Sequence, residues 1–354
     1  MSMTACEEAL HLVPALLGVA FIAASWFVAL RLGGRDAAAW TIAVVVGTTP
    51  LVRFDVELMS DLPSTACMLA IVAVLVRELR DRPSWRITVC APLAIAAVYI
   101  RYGSCLPVAL IGAAAFAFGA RAIVRRPGPP LVTAGLVAAA IVPLRATLAY
   151  SARVPPATPG LVHYVTRAYW YFGALAPPLM MLALIARDRW RRFAVVIGVA
   201  DIVALGIETA AQTRYVVLGL VLLVAVGVAE ARDRIMRSRH RRMLGIAAGV
   251  AVGTMWLVAL AAAYTARERR HAGMAPTLAA AAAIRHDAHG EPCDVIGRHF
   301  TQLEWYSGCR AVHAATPGIR TYVVRDDTGG PGQPEPVTGI PILATSHVQV
   351  TRVP

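Results

Sequence analysis

The chain has 354 residues, 58% of them hydrophobic, and a mean hydropathy of +0.61, which excludes an ordinary soluble globular domain. Its formal net charge of +13 rests on 34 arginines, with no lysine at all. Nineteen of those arginines crowd into five short connectors between apolar runs, where they set orientation and meet anionic headgroups; nucleic acid is therefore not expected as a partner.

Ten apolar segments follow one another: Ala9–Leu30, Ala37–Val52, Leu62–Val76, Ile87–Ile100, Tyr102–Ala120, Leu131–Leu144, Ala168–Ala186, Phe193–Ile207, Tyr215–Ala229 and Met243–Tyr264. A perpendicular helix needs about 20 residues to cross the hydrocarbon core, and several of these are shorter. Snorkelling arginines can extend them, although Ala37–Val52 also suits a half-buried segment. Residues 87–120 are too long for one helix, and Arg101 with Gly103 and Pro107 breaks them into a tight hairpin. The fold class expected is an all-α polytopic bundle of about ten transmembrane helices over residues 1–265, with a small α/β domain over 266–354.

Orientation follows from the connectors. The arginine-rich set is Arg31–Asp36, Arg77–Arg86, Arg121–Pro130, Arg187–Arg192 and Glu230–Arg242. These alternate with Val52–Asp61, the turn at Arg101, Arg145–Arg167 and Glu208–Arg214, which carry most of the acids outside the tail. Positive charge is retained in the cytoplasm, so the second set and the carboxy-terminal domain are expected outside, in the plasma membrane of a bacterium with a GC-rich genome. Ten crossings then start the amino terminus outside, with no signal peptide in Met1–Glu8; a helix missing upstream, or a first span inserted amino end out, would each account for this.

The tail is expected to form a helix at Thr277–His286, a strand at Cys293–Arg298 and a helix at Thr301–Ser307. Strands are expected at Arg310–Ala314, Thr321–Arg325 and Ile342–Val353, with a Gly- and Pro-rich loop over Asp326–Pro341. Cys293 and Cys309 would stand at two neighbouring strand starts of a β–α–β unit, close enough for a disulfide in an oxidising compartment. Cys6, Cys67, Cys90 and Cys105 lie within or beside apolar runs and read as core residues.

Candidate chemistry gathers on the outer side. Asp55, Glu57 and Asp61 lie within seven residues; such carboxylates can hold a divalent cation (Mg or Mn), and one can act as general base. Asp61, two residues before Pro63, also reads as a plain helix N-cap. Arg101, next to Tyr102 at its hairpin apex, suits a phosphate or a carboxylate such as Asp61, or simply snorkels to headgroups. Gln212, Arg214 and Tyr215 open a later span at the same level, with Tyr215 equally suited to the aromatic belt. Asp201 lies inside an apolar segment, where an acid pairs with an arginine or serves function. His163 and its aromatic neighbours Tyr164, Tyr169 and Trp170 fit an interfacial girdle or a sugar-stacking surface.

Five short runs carry a family resemblance: Arg31-Leu32-Gly33-Gly34-Arg35, Ser60-Asp61-Leu62-Pro63-Ser64, Ile100-Arg101-Tyr102-Gly103, Thr213-Arg214-Tyr215 and Trp305-Tyr306-Ser307-Gly308-Cys309. In order and membrane side they resemble the GT-C superfamily of membrane glycosyltransferases, over roughly residues 9 to 310. The branch is that of bacterial relatives of dolichyl-phosphate-mannose protein mannosyltransferase and of lipid A aminoarabinose transferase. The resemblance implies a glycosyltransferase that moves a sugar from a polyprenyl-phosphate donor to an extracytoplasmic glycan, lipid or protein. It implies donor or metal contact for Asp61 and donor-phosphate contact for Arg101 and Arg214. The family's first helix and first outer loop, with its acidic base, have no counterpart here, so an incomplete or inactive member is also expected to fit. Two other classes share the same arginines: a flippase or transporter of anionic lipid, and a non-catalytic membrane subunit.

Topology is directly measurable. Reporter fusions after Arg80, Arg189 and Arg237 should read as cytoplasmic, and fusions after Val154 and Pro354 as exterior. A cytoplasmic signal at Pro354 would move every outer residue named above to the wrong side.

Overall fold

The computed structural model describes residues 3–47, 61–80, 83–141, 173–208, 216–297, 300–312, 314–326 and 337–353. Two compact units divide between Ala263 and Tyr264. The first is helical: α1 (Met3–Val46), α2 (Asp61–Arg80), a 3-10 turn (Trp85–Val89) leading into α3 (Cys90–Ile100), a second 3-10 turn (Tyr102–Ser104) leading into α4 (Cys105–Arg125), then α5 (Gly128–Ile141), α6 (Ala176–Leu184), α7 (Arg189–Glu208), α8 (Val217–Arg237) and the first half of α9 (Arg241–Ala288).

The apolar segments are not equivalent crossings. Among the described residues, four stretches are long and apolar enough to span a membrane: Leu16–Val46, Leu62–Arg80, Cys105–Arg125 and Arg241–Ala262. Trp85–Ile100 and Gly128–Ile141 are apolar but shorter. The chain is a multi-pass membrane protein. The first two expected segments share α1, and the connector Arg31–Asp36 shrinks to a corner at Gly34, whose φ of 82° favours glycine. Elsewhere the helices run on into the arginine connectors, as α8 does through Arg234 and Arg237, where cations oppose the negative helix end.

Helix α8 is the centre of this unit. Every residue from Val217 to Ala229 is buried, as expected of a helix that is apolar all round. Small residues let its neighbours close on it. A Cβ on Gly33 would lie 2.7 Å from the Ala229 Cβ, one on Gly227 would meet the Leu179 carbonyl oxygen, and one on Gly219 would lie 2.5 Å from the Gly198 carbonyl oxygen. Thus α1, α6 and α7 each approach α8 at backbone distance.

The arginine connectors converge at one end of these helices. Arg191 donates from Nε to the Leu32 carbonyl (3.0 Å), from Nη1 to Glu230 (2.8 Å) and from Nη2 to Asp233 (2.8 Å). Asp188 caps α7, its Oδ1 accepting from the N–H groups of Trp190 and Arg191, both at 2.9 Å. Arg232 pairs with Asp36 at 2.7 Å, and Arg189 donates to the Phe118 carbonyl of α4.

The second unit packs the end of α9 on a five-stranded mixed sheet. Its strands are β1 (Cys293–Ile296), β2 (Arg310–Ala311), β3 (Arg320–Asp326), β4 (Ile340–Ala344) and β5 (Val348–Val353), in the order β2-β1-β3-β5-β4. β1 runs parallel to β2 and β3, whereas β5 is antiparallel to β3 and β4. The core sets Ala280, Ala281 and Ile284 of α9 against Val295, Tyr322, Val324, Val348 and Val350. Helix α10 (Phe300–Ser307) makes the β1-to-β2 crossover, and a disulfide joins Cys293 to Cys309 with a Cα–Cα distance of 4.7 Å. The strand expected at Ile342–Val353 is instead a hairpin that begins at Ile340. Thr345 turns it: its N–H bonds the Val348 carbonyl at 3.0 Å, and its Oγ1 accepts from His347 and Val348. Pro341, expected in the loop, pairs with Thr351 in β4, and the register shifts between Pro341 and Leu343.

One carboxylate ties α9 to this sheet. Asp287 accepts from the Tyr322 hydroxyl at 2.7 Å and from Arg352 Nη1 at 2.9 Å, while Arg320 donates to its carbonyl at 3.1 Å. Burial opposes ionisation of Asp287, but the Tyr322 hydrogen bond and the Arg352 guanidinium outweigh it and hold the carboxyl below its usual range.

Two measurements probe these packings. Gly219→Ala forces α7 and α8 apart and should lower stability by about 1–3 kcal/mol, whereas Gly253→Ala, with nothing within 4 Å, should be neutral or mildly stabilising. Thermal unfolding of detergent-solubilised protein separates the two. For Asp287, a depressed carboxyl contributes stability above its unfolded value of about 3.9 that is lost as pH falls through the lower folded value. Hydrogen-exchange protection of β3 and β5 should therefore fall over that acid window, and Asp287→Asn should flatten the dependence.

Candidate functional site at the Arg101 turn

Between α3 and α4 the chain reverses within four residues. Arg101 is extended (φ −152°, ψ 110°), and its N–H bonds the Ala97 carbonyl at 3.1 Å to close α3. The Ser104 N–H then returns to the Arg101 carbonyl at 3.0 Å. Pro107 follows in the first turn of α4, where its missing N–H costs nothing because that position has no intrahelical acceptor.

Two buried hydroxyls fix this turn against α2. The Ser64 hydroxyl donates to the Ala97 carbonyl at 3.1 Å and lies 2.6 Å from the Ser104 hydroxyl. Because Ser64 is three residues after Asp61, about one helical turn, the opening turn of α2 sits beside the Arg101 turn. The runs Ser60–Ser64 and Arg101–Ser104, separate in sequence, thus meet in space.

A third element arrives with Asp201. This side chain of α7 is fully buried, and its Oδ2 accepts the Gly219 N–H at 3.0 Å. Gly219 lies in the first turn of α8, whose N–H groups have no partner within their own helix. Asp201 therefore caps α8 from the neighbouring helix, at the positive end of its dipole. The Gly198–Gly219 crossing makes this reach possible. The other oxygen, Oδ1, has no hydrogen-bond partner among the described residues.

From this turn an apolar groove of about 540 Å³ runs between α2, α3, α4 and α5. Its lining passes from Cys105 and Ile141 near the turn, through Ile71 and Ala115, to Leu79 and Ile123 at the arginine end. Cys105 to Ile123 corresponds to about 27 Å of helix at 1.5 Å per residue, close to the thickness of a hydrocarbon core. The Tyr99 hydroxyl holds α5 alongside α3 by donating to the Ala140 carbonyl at 3.3 Å.

Of the residues expected to carry chemistry, Arg101 lies in the turn fastened to α2, and Asp201 caps α8. Asp61 opens α2 and Tyr102 opens the 3-10 turn, but their side chains are not among those described. Asp55, Glu57, His163, Gln212, Arg214 and Tyr215 lie outside the described residues, as do Tyr164, Tyr169 and Trp170. Among the described residues no group of three or more His, Cys, Asp or Glu side chains could hold a metal ion. The acids of the expected cation site are not in that set. Sequence reasoning gave Ser64 and Ser104 no role and passed over Gly198 and Gly219, because small residues in apolar runs look like packing. The serines' one signal is spacing: Ser64 follows Asp61 by one turn, and Ser104 follows directly on the run Ile100–Gly103.

No family model matches the chain, and no curated protein matches it. Solved structures do, among them crystal structures of ArnT from Cupriavidus metallidurans, one bound to undecaprenyl phosphate (TM-score 0.67) and one in the apo state (TM-score 0.70). Each is 14% identical and covers 97% of this chain and 83% of ArnT. The chain has the fold of ArnT.

Proposed function

We propose that the protein is a GT-C glycosyltransferase that moves a sugar from a polyprenyl-phosphate donor to an acceptor outside the cytoplasm. The observation that carries this reading is the Arg101 turn, fastened to the start of α2 by Ser64 and Ser104 at the head of an apolar groove. A turn that carries an arginine next to the end of a groove of bilayer depth suits an amphiphile with a phosphate head and a long hydrocarbon tail. ArnT, a GT-C aminoarabinose transferase of the same fold, has been crystallised with such a lipid.

In this reading the acceptor hydroxyl attacks the anomeric carbon, and the bond from that carbon to the phosphate oxygen breaks. The sugar passes to the acceptor, and the polyprenyl phosphate leaves. Asp61, at the head of α2, takes the hydroxyl proton, with Asp55 and Glu57 in the loop before it. Arg101 and Arg214 bind the departing phosphate and its growing negative charge. Arg214 belongs to the segment that links α7 to α8, whose flanking residues carry Asp201 and Gly219. Asp201 caps α8 and so positions that helix rather than touching substrate. Carboxylate oxygens are hard donors, so Asp55, Glu57 and Asp61 would hold Mg or Mn if the reaction uses one, where it would neutralise phosphate charge. Convergence of the arginine connectors at the other end supports a cytoplasmic placement for them and an extracytoplasmic one for the Arg101 turn and the carboxy-terminal unit.

The test is release of undecaprenyl phosphate from a panel of undecaprenyl-phosphate-linked sugars by reconstituted protein. Asp61→Asn should slow release by roughly 10²–10⁴-fold while leaving undecaprenyl phosphate binding intact. Arg101→Ala should weaken both. Full activity in Asp61→Asn would sink the assignment of the base, and lipid binding without release from any donor would favour a flippase.

A further inference from the structure

A second cavity, of about 1030 Å³, lies at the arginine end of the helical unit. Four of the five arginine connectors contribute to it, and its wall carries Arg31, Arg80, Arg187, Arg191, Arg234 and Arg237 against only three acids, Asp188, Glu230 and Asp233. Those acids are committed elsewhere. Asp188 caps α7, while Glu230 and Asp233 both take Arg191, and Asp233 is shared with Arg232 at 3.3 Å. Arg31, Arg80, Arg187, Arg234 and Arg237 have no ion-pair partner among the described residues, yet they line one open cavity.

Arginines that only marked membrane orientation could each point into water, where repulsion is screened within about 8–10 Å. Here α1, α2, α7 and α8 bring them around one cavity, and the Arg191 network holds the wall in place. Repulsion among them falls when an anion of more than one charge, or several anions, enters. Guanidinium forks match the oxygens of a phosphate. The same wall carries Leu30, Leu32 and Ile185, the last 53% exposed, so a ligand with an apolar part is also accommodated.

We propose that this cavity is a binding site for a phosphate-bearing anion, separate from the Arg101 turn. A lipid headgroup and a soluble pyrophosphate share that chemistry. The site stands on its own geometry and does not depend on the glycosyltransferase reading.

The experiment uses delipidated full-length protein in neutral detergent, with thermal stabilisation as readout. Three probes are titrated: dioctanoyl phosphatidylglycerol, inorganic pyrophosphate and dioctanoyl phosphatidylcholine. Phosphatidylglycerol or pyrophosphate should stabilise the protein, and phosphatidylcholine should not. A response to phosphatidylglycerol alone identifies a headgroup site, and a response to pyrophosphate alone a soluble ligand. Arg80→Gln, Arg234→Gln and Arg237→Gln combined should weaken the binding about a hundredfold, at roughly fivefold per arginine. These side chains are exposed and outside the Arg191 network, so the fold should persist; if the triple variant fails to fold, Arg80→Gln and Arg237→Gln singly carry the test. Equal responses to all three probes, no response to either anion, or unchanged affinity in the variants would overturn the proposal. Arg101→Ala, measured in parallel, should leave intact the response that the triple variant loses, which separates this site from the one at Arg101.

Discussion

Arg191 joins three helices through three different acceptors, standing on α7 while binding a carbonyl of α1 and two carboxylates of α8. A guanidinium withdrawn this far from water is tolerated only when its donors are met, and loss of one partner strands a charge. The contact therefore fixes the register of α7 against α8. Ten residues farther along α7, about 15 Å, the same register delivers Asp201 to the first turn of α8. A slip of one residue at the arginine end would lose the Gly198–Gly219 crossing and the Asp201 cap together.

Polar contacts thus hold the two ends of a helix that is otherwise buried and featureless. Packing between apolar helices in lipid gains little from the hydrophobic effect, so close backbone approach and a few hydrogen bonds must specify the arrangement. Gly33, Gly198, Gly219 and Gly227 supply the approach; Asp201, Arg191, Glu230 and Asp233 supply the bonds. By contrast α9 joins this unit lightly, with the Trp256 indole N–H donating to the Ala43 carbonyl at 2.6 Å and most of its apolar surface outward. A lipid-facing helix needs no more.

The sequence made some of this legible and hid the rest for physical reasons. Ionisable residues in apolar surroundings stand out because each is costly, and so Arg101 and Asp201 drew attention before any fold was known. The hairpin break at Arg101 and the helical-then-mixed division of the chain were readable from periodicity and turn residues. Helix crossings were not, since a glycine in an apolar run carries no mark of which partner it meets. The corner at Gly34 was hidden in the same way: a connector of six residues, five of them polar or small, gives no hint that one φ angle does the turning. The β4–β5 hairpin was missed because Thr345–His347 reverses the chain without glycine or proline.

The carboxy-terminal sheet ends in two edge strands that resist extension. β2 is only two residues long and is stapled through Cys309 to the start of β1, while β4 carries Pro341 and an irregular register. Short strands, proline and bulges are the usual means of denying an incoming strand its ladder. Such protection matters more for a domain tethered to a membrane than for one free in solution. Confinement to two dimensions keeps identical sheets at high mutual concentration, where an open edge would template polymer. With both edges blunted, this unit can be displayed densely on a membrane surface and remain a set of separate molecules.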